Sequence, residues 1–182
     1  MWKAYYGKEK ARLFALLVTT LREQYRLPWH KAIQCGWHLA RAASTFASLH
    51  GDYRSVLPDL RQGYAVLADW TGRSFDPERV ADDELAWWVA RRTPGQDGAT
   101  NVGRLIGEEY AALYAGVCNR DDATRAGLWR AEAAHLRDAE ATMPDWDRID
   151  SRLRASYRSL RAGMEDAPGC RQLHSTRVPL RN

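Results

Sequence analysis

The stretch "NVGRLIGEEYAALYA", residues 101–115, sets Gly103, Gly107, Ala111 and Ala115 at four-residue intervals. Residues four apart share one face of an α-helix. Glycine inside a helix costs up to ~1 kcal/mol against alanine. Two glycines on one face of a short helix therefore need a compensating gain, and close approach of a second helix supplies it. A similar row runs through "WHKAIQCGWHLARAASTFAS", residues 29–48, where Ala32, Gly36, Ala40, Ser44 and Ser48 repeat the interval. The two rows are expected to pack against each other, with a flat wall for a planar ligand as the alternative.

Working outward, helical periodicity recurs along the chain, and no sustained period-two run or hairpin dipeptide argues for strands. A first helix is expected from about Trp2 to Arg26, with Leu13, Leu16, Leu17 and Leu21 inward. Pro28 divides it from a second, whose inner stripe reads Trp29, Ile33, Trp37 and Ala40 and whose left-handed cap reads as Gly51. A third runs from about Val56 to Trp70 on Val56, Leu60, Tyr64 and Leu67, closed by Gly72. Asp76-Pro77-Glu78 starts a fourth, reaching about Arg92. After the loop "TPGQDGATN", 93–101, Thr100 or Asn101 should cap a fifth helix to about Val117. Asp121 should cap a sixth to about Ala141, and Pro144 should begin a seventh carrying Trp146, Ile149, Leu153, Leu160 and Met164. No internal repeat stands out. The expectation is an all-α, single-domain helical bundle of six or seven helices over residues 1–165. The tail 166–182, where the pattern dissolves, is expected to be mobile.

A chain of 182 residues buries enough apolar surface to fold without disulfides or metals. Cys35, Cys118 and Cys170 are odd in number and widely spaced, as in a reduced cytosolic protein. No run of ~18 apolar residues reads as a membrane span. The apolar stretch 13–18 lacks the length and cleavage site of a secretory signal. The formal charge of +4 is uneven: residues 1–50 hold eight Lys and Arg against two acids. That bias favours an anionic partner near the N-terminal face.

Motifs for chemistry are sparse. His30 and His38 lie about 12 Å apart along a helix, too far to share a zinc ion. Glu132 and His135 form one ExxH, where a di-metal bundle needs two. No GxSxG elbow or phosphate-binding GK[ST] is present. No cofactor or metal is therefore expected. The basic residues of the last helix alternate with Asp145, Asp147 and Asp150, which disfavours nucleic acid, although the basic N-terminal segment keeps that reading open.

The stretch "ELAWWVARRTPG", 84–95, concentrates the remaining signal. Helical geometry separates its two indoles: Trp88 falls in line with Leu85 and should be core. Trp87 should sit at the rim with Arg91, which is placed to stack on it. Exposed Trp beside Arg is the composition of a binding hot spot. The leading expectation is a non-enzymatic binding or accessory protein with a protein partner. Its surface would centre on Trp87, Arg91, Arg92 and the 93–104 loop with Asn101 and Arg104, whose helix N-terminus also suits a small anion. The alternative is a small-molecule enzyme or sensor, with a pocket between helices two, four and five lined by His38, Arg41, Arg91, Glu108 and Tyr110.

Overall fold

The computed structural model describes Gly7 and residues 9–165. Every regular element among them is helical: α1 (Lys10–Tyr25), α2 (Trp29–Ser48), a 3₁₀ turn (Tyr53–Val56), α3 (Leu57–Thr71), α4 (Pro77–Ala90), α5 (Ala99–Leu113), α6 (Arg120–Ala139) and α7 (Trp146–Glu165). The protein is an all-α helical bundle. The chain divides between Leu85 and Ala86, inside α4, into two compact units. The expected start of the first helix at Trp2 and the 166–182 tail lie outside the described residues.

Local chemistry sets the boundaries. Arg26 ends α1 in the left-handed region (φ 53°) and Pro28 precedes α2. Gly72 closes α3 at φ 62°, as its missing Cβ permits. The Asp76 carboxylate accepts the Glu78 amide at the start of α4. Several expected caps move. Gly51 has no positive φ, and α2 already ends at Ser48. Gly98 precedes α5, so Thr100 and Asn101 sit inside its first turn. Asn119, not Asp121, caps α6 by accepting the Asp122 amide at 2.9 Å. The Asp145 carboxylate accepts the Arg148 amide at the start of α7, one residue past the expected Pro144. At α6 and α7 an Asn or Asp oxygen beside the expected cap meets the free amide instead.

In the first unit α2 packs against both α1 and α3. The α3 stripe is as expected: Val56, Leu60, Tyr64 and Leu67 are all buried. The α2 stripe is not. Ala32, Cys35, Gly36, Ala42 and Phe46 face inward, while Trp29, Ile33 and Trp37 are 57%, 48% and 58% exposed. Small residues, not the largest apolar ones, occupy the core face of α2 because α1 and α3 approach closely there. Gly63 of α3 faces the Leu39 side chain.

In the second unit α6 packs against both α5 and α7. A Cβ at Gly103 would lie 2.7 Å from the Leu128 Cα, and one at Gly107 2.7 Å from the Thr124 Cα. A Cβ at Gly127 would collide with the Gly103 carbonyl oxygen and the Gly107 amide. The glycine row of α5 is thus filled by α6, through Gly127, and not by the second helix as expected. Ala90, Val102, Ile106 and Ala131 form a core cluster against which Trp87, Leu105 and Tyr110 pack.

No sequence repeat stands out, yet a spacing of small residues recurs in the two units. Ala32, Gly36, Ala40, Ala42 and Ala43 of α2 match Ala123, Gly127, Ala131, Ala133 and Ala134 of α6. The buried Val56, Gly63, Val66 and Leu67 match the buried Ile149, Ser156, Ser159 and Leu160. Each middle-helix glycine faces two residues four apart on the preceding helix: Phe14 and Val18 for Gly36, Gly103 and Gly107 for Gly127. The ion pairs correspond as well, with charges exchanged. Arg41 of α2 holds Asp59 at the start of α3, and Glu132 of α6 holds Arg152 at the start of α7.

Candidate functional site

Each residue singled out by sequence is placed within its own unit. In the first, Asp59 is gripped by two side chains one turn apart on α2. Arg41 Nε donates to Asp59 Oδ2 at 2.6 Å, a second guanidinium nitrogen donates to Oδ1, and His38 Nδ1 lies 3.1 Å from Oδ1. The Arg41 guanidinium, more than the His38 ring, holds the Asp59 carboxyl below its ordinary range. His38 and Arg41 thus clasp α2 to α3. Nearby, Tyr64 donates to Glu84 at 2.7 Å and the Cys35 thiol donates to the Gly63 carbonyl at 3.3 Å. Burial, with a smaller push from Glu84, raises the Cys35 pKa to about 12. A buried neutral thiol of this kind is a core residue and not a nucleophile.

In the second unit, Trp87 is held from inside. Its indole nitrogen donates to Glu109 Oε2 at 2.6 Å, and Glu109 is only 7% exposed. The Arg130 guanidinium stands 5.7 Å from the Trp87 ring and Trp88 meets that ring edge-on at 6.1 Å. Trp87 and Trp88 are both half-buried: Trp87, expected at the rim, packs against the core cluster, and Trp88, expected in the core, is not fully buried. A buried carboxylate takes a donor within reach, and the Trp87 indole supplies one to Glu109. Arg91 donates to Asp138 of α6 at 2.6 Å. Arg92 is exposed at the end of α4.

The loop after α4 turns at Gly95 (φ 80°). Asn101 donates to the Gln96 carbonyl at 2.8 Å. Arg104 donates to Glu108 one turn along at 2.6 Å and to Asn101 at 3.4 Å. The first turn of α5 therefore secures its own loop. Desolvation pushes the Tyr110 phenol above its ordinary range. Beside this loop lies an open recess of about 270 Å³, lined by Arg91, Asp97, Ala99, Val102, His135 and Asp138 among others. Glu132, the first half of the ExxH, is taken by Arg152. Among the described residues no group of three His, Cys, Asp or Glu is placed to hold a metal ion.

The feature that sequence reading assigned to the core is the exposed row on α2. Trp29, Ile33 and Trp37 occupy successive turns, a ridge about 12 Å long. The Arg22 guanidinium from α1 lies 3.8 Å over the Trp29 ring. Trp70, 47% exposed, donates to the Arg26 carbonyl at the α1–α2 turn. The signal was present in the sequence: small residues at Ala32, Gly36 and Ala42 mark the close-packed face, and the bulky row is displaced from it.

The class these features define is an all-helical bundle in which a three-helix pattern recurs. Among the described residues no helix is long and apolar enough to cross a membrane. No protein-family model, curated protein or solved structure matches the chain.

Proposed function

We propose that the chain is a cytosolic, non-enzymatic binding protein whose contact surface is the α2 row of Trp29, Ile33 and Trp37. One observation carries this reading: two tryptophans and an isoleucine, each about half exposed or more, stand on one face of one helix. Scattered apolar residues on a surface are ordinary, but a contiguous ridge of large ones marks an interaction site. Tryptophan and arginine dominate binding hot spots, and here Arg22 is stacked on Trp29. This moves the contact surface away from Trp87 and the 93–104 loop, since Trp87, Arg91, Asn101 and Arg104 make internal bonds.

The test is affinity purification from the native host with Trp29→Ala/Trp37→Ala beside the unchanged chain. Both residues are exposed, so the variant should keep its helical circular dichroism and melting temperature. Selective loss of a captured protein is the expected outcome; an unchanged set of captured proteins would remove the reading.

A further inference from the structure

The row on α2 leaves two kinds of demand unmet. Its apolar side chains face water, and the charge around it is one-sided. Between Glu9 and Ser48 the chain carries Lys10, Arg12, Arg22, Arg26, Lys31 and Arg41 against Glu9 and Glu23, and α2 itself contains no acid. Two cations of this segment have carboxylate partners, Arg12 with Glu9 and Arg41 with Asp59, as do Arg79, Arg104, Arg125 and Arg152 farther along the chain. Among the described residues no carboxylate pairs with Arg22, Arg26 or Lys31. The Arg22 Nε is also buried without an acceptor, beside the ring on which its guanidinium rests.

Resting on the binding reading above, we propose that the α2 row receives an acidic amphipathic helix of a partner protein. The apolar face of such a helix covers Trp29, Ile33 and Trp37, and its flanking carboxylates meet Arg22 and the cations of the α1–α2 segment. The ridge at successive turns has the spacing of helix-on-helix packing. A second copy of the same face is a poor occupant, because it would bring Arg22 and its neighbours against their own like charges. An anionic membrane shares the charge complementarity. Yet the face around the row also presents His30, Gln34 and Ser44, which suit a bounded polar rim and not immersion in acyl chains.

The experiment titrates the full chain with a designed helical peptide that has a leucine face and glutamates elsewhere. The same peptide with lysines, and vesicles containing phosphatidylserine, are the other arms. Expected is saturable binding of the glutamate peptide, weakened tenfold or more by Trp37→Ala and also by Arg22→Glu, and reduced by added salt. Equal binding of the lysine peptide, still lost in Trp37→Ala, would overturn the acidic partner while leaving the binding reading intact. Binding to vesicles but to neither peptide, or a dimer in sedimentation that Trp37→Ala dissolves, would overturn it too. No binding in any arm would do the same, and the native-host capture then decides separately whether the row binds at all.

Discussion

The α1–α2 and α5–α6 pairs are built on one plan and solved differently. Both set a middle-helix glycine, Gly36 or Gly127, against two residues four apart on the helix before it. In the second unit those residues are Gly103 and Gly107, and the backbones of α5 and α6 meet. In the first they are Phe14 and Val18, and side chains stand between the helices. A Cβ at Gly36 would meet side chains alone, the nearest the Val18 Cγ2 at 3.1 Å, with Phe14 and Leu21 at ordinary contact distance. The outer faces differ in step. Leu128 and Trp37 hold matching places; Leu128, whose Cα lies against Gly103, is 39% exposed, whereas Trp37 is 58% exposed. The same helical pattern thus gives a sealed pair where glycines are stacked and an open aromatic ridge where they are not.

The largest expected effect tests that contrast directly. Gly127→Ala places a methyl against backbone atoms that cannot rotate away, so α5 and α6 must separate. Urea denaturation should show a loss of about 3 kcal/mol, at the upper end of overpacking costs. Gly36→Ala meets a valine methyl that can shift and gains helix propensity of up to ~1 kcal/mol, so its net change should stay within about 1 kcal/mol. Equal losses at the two glycines would break the comparison.

The next effect sharpens a second difference. The buried Glu109 of α5 takes the Trp87 indole, whereas the matching position of α1 is Thr20, whose hydroxyl bonds its own helix at Leu16. Trp87→Phe keeps an aromatic ring on the core cluster but removes one donor from a buried carboxylate. The expected cost is about 1–3 kcal/mol in the same denaturation measurement. Thr20→Val should cost less, since no buried charge is left behind. A neutral Trp87→Phe would mean that another donor can take over Glu109.

How far the sequence predicts this follows from which interactions are local. Helix class and most boundaries are local: Pro28, Gly72 and Asp76-Pro77 act within one turn. The glycine rows were legible as close-packing faces, but their partner was not. Spacing states that a face is smooth and is silent on which helix fills it. The α2 stripe misled because large apolar residues were weighted above small ones, although Ala32, Gly36 and Ala42 occupy the tighter contact. The Trp87 indole bond was not legible either, because its acceptor, Glu109, lies on another helix. The shared spacing of the two units is faint in sequence, since even the corresponding ion pairs, Arg41–Asp59 and Glu132–Arg152, carry exchanged charges.

The smallest effect concerns that exchanged pair. The first unit grips Asp59 with Arg41 and His38; the second grips Arg152 with Glu132, and the Arg152 guanidinium also lies 5.0 Å from the Trp129 ring. His38 and Trp129 occupy matching places, so the acid of one clasp is held by charge and the cation of the other by charge and an aromatic face. Asp59 has its folded pKa lowered, chiefly by Arg41. A lowered folded value means that the unfolded chain takes up the proton first as pH falls. The contribution of Asp59 is therefore present above the ordinary carboxylate range and lost as pH falls through its depressed folded value. Melting temperatures measured from neutral to acid pH should fall less steeply for Asp59→Asn than for the unchanged chain, with the two converging at the acid end. Glu132→Gln, on a side chain 36% exposed, should cost at most about 1 kcal/mol at neutral pH, because Arg152 keeps the Trp129 face. If Glu132→Gln proves the more damaging of the two, the aromatic face does not share the load, and the clasps are equivalent in strength despite their exchanged charges.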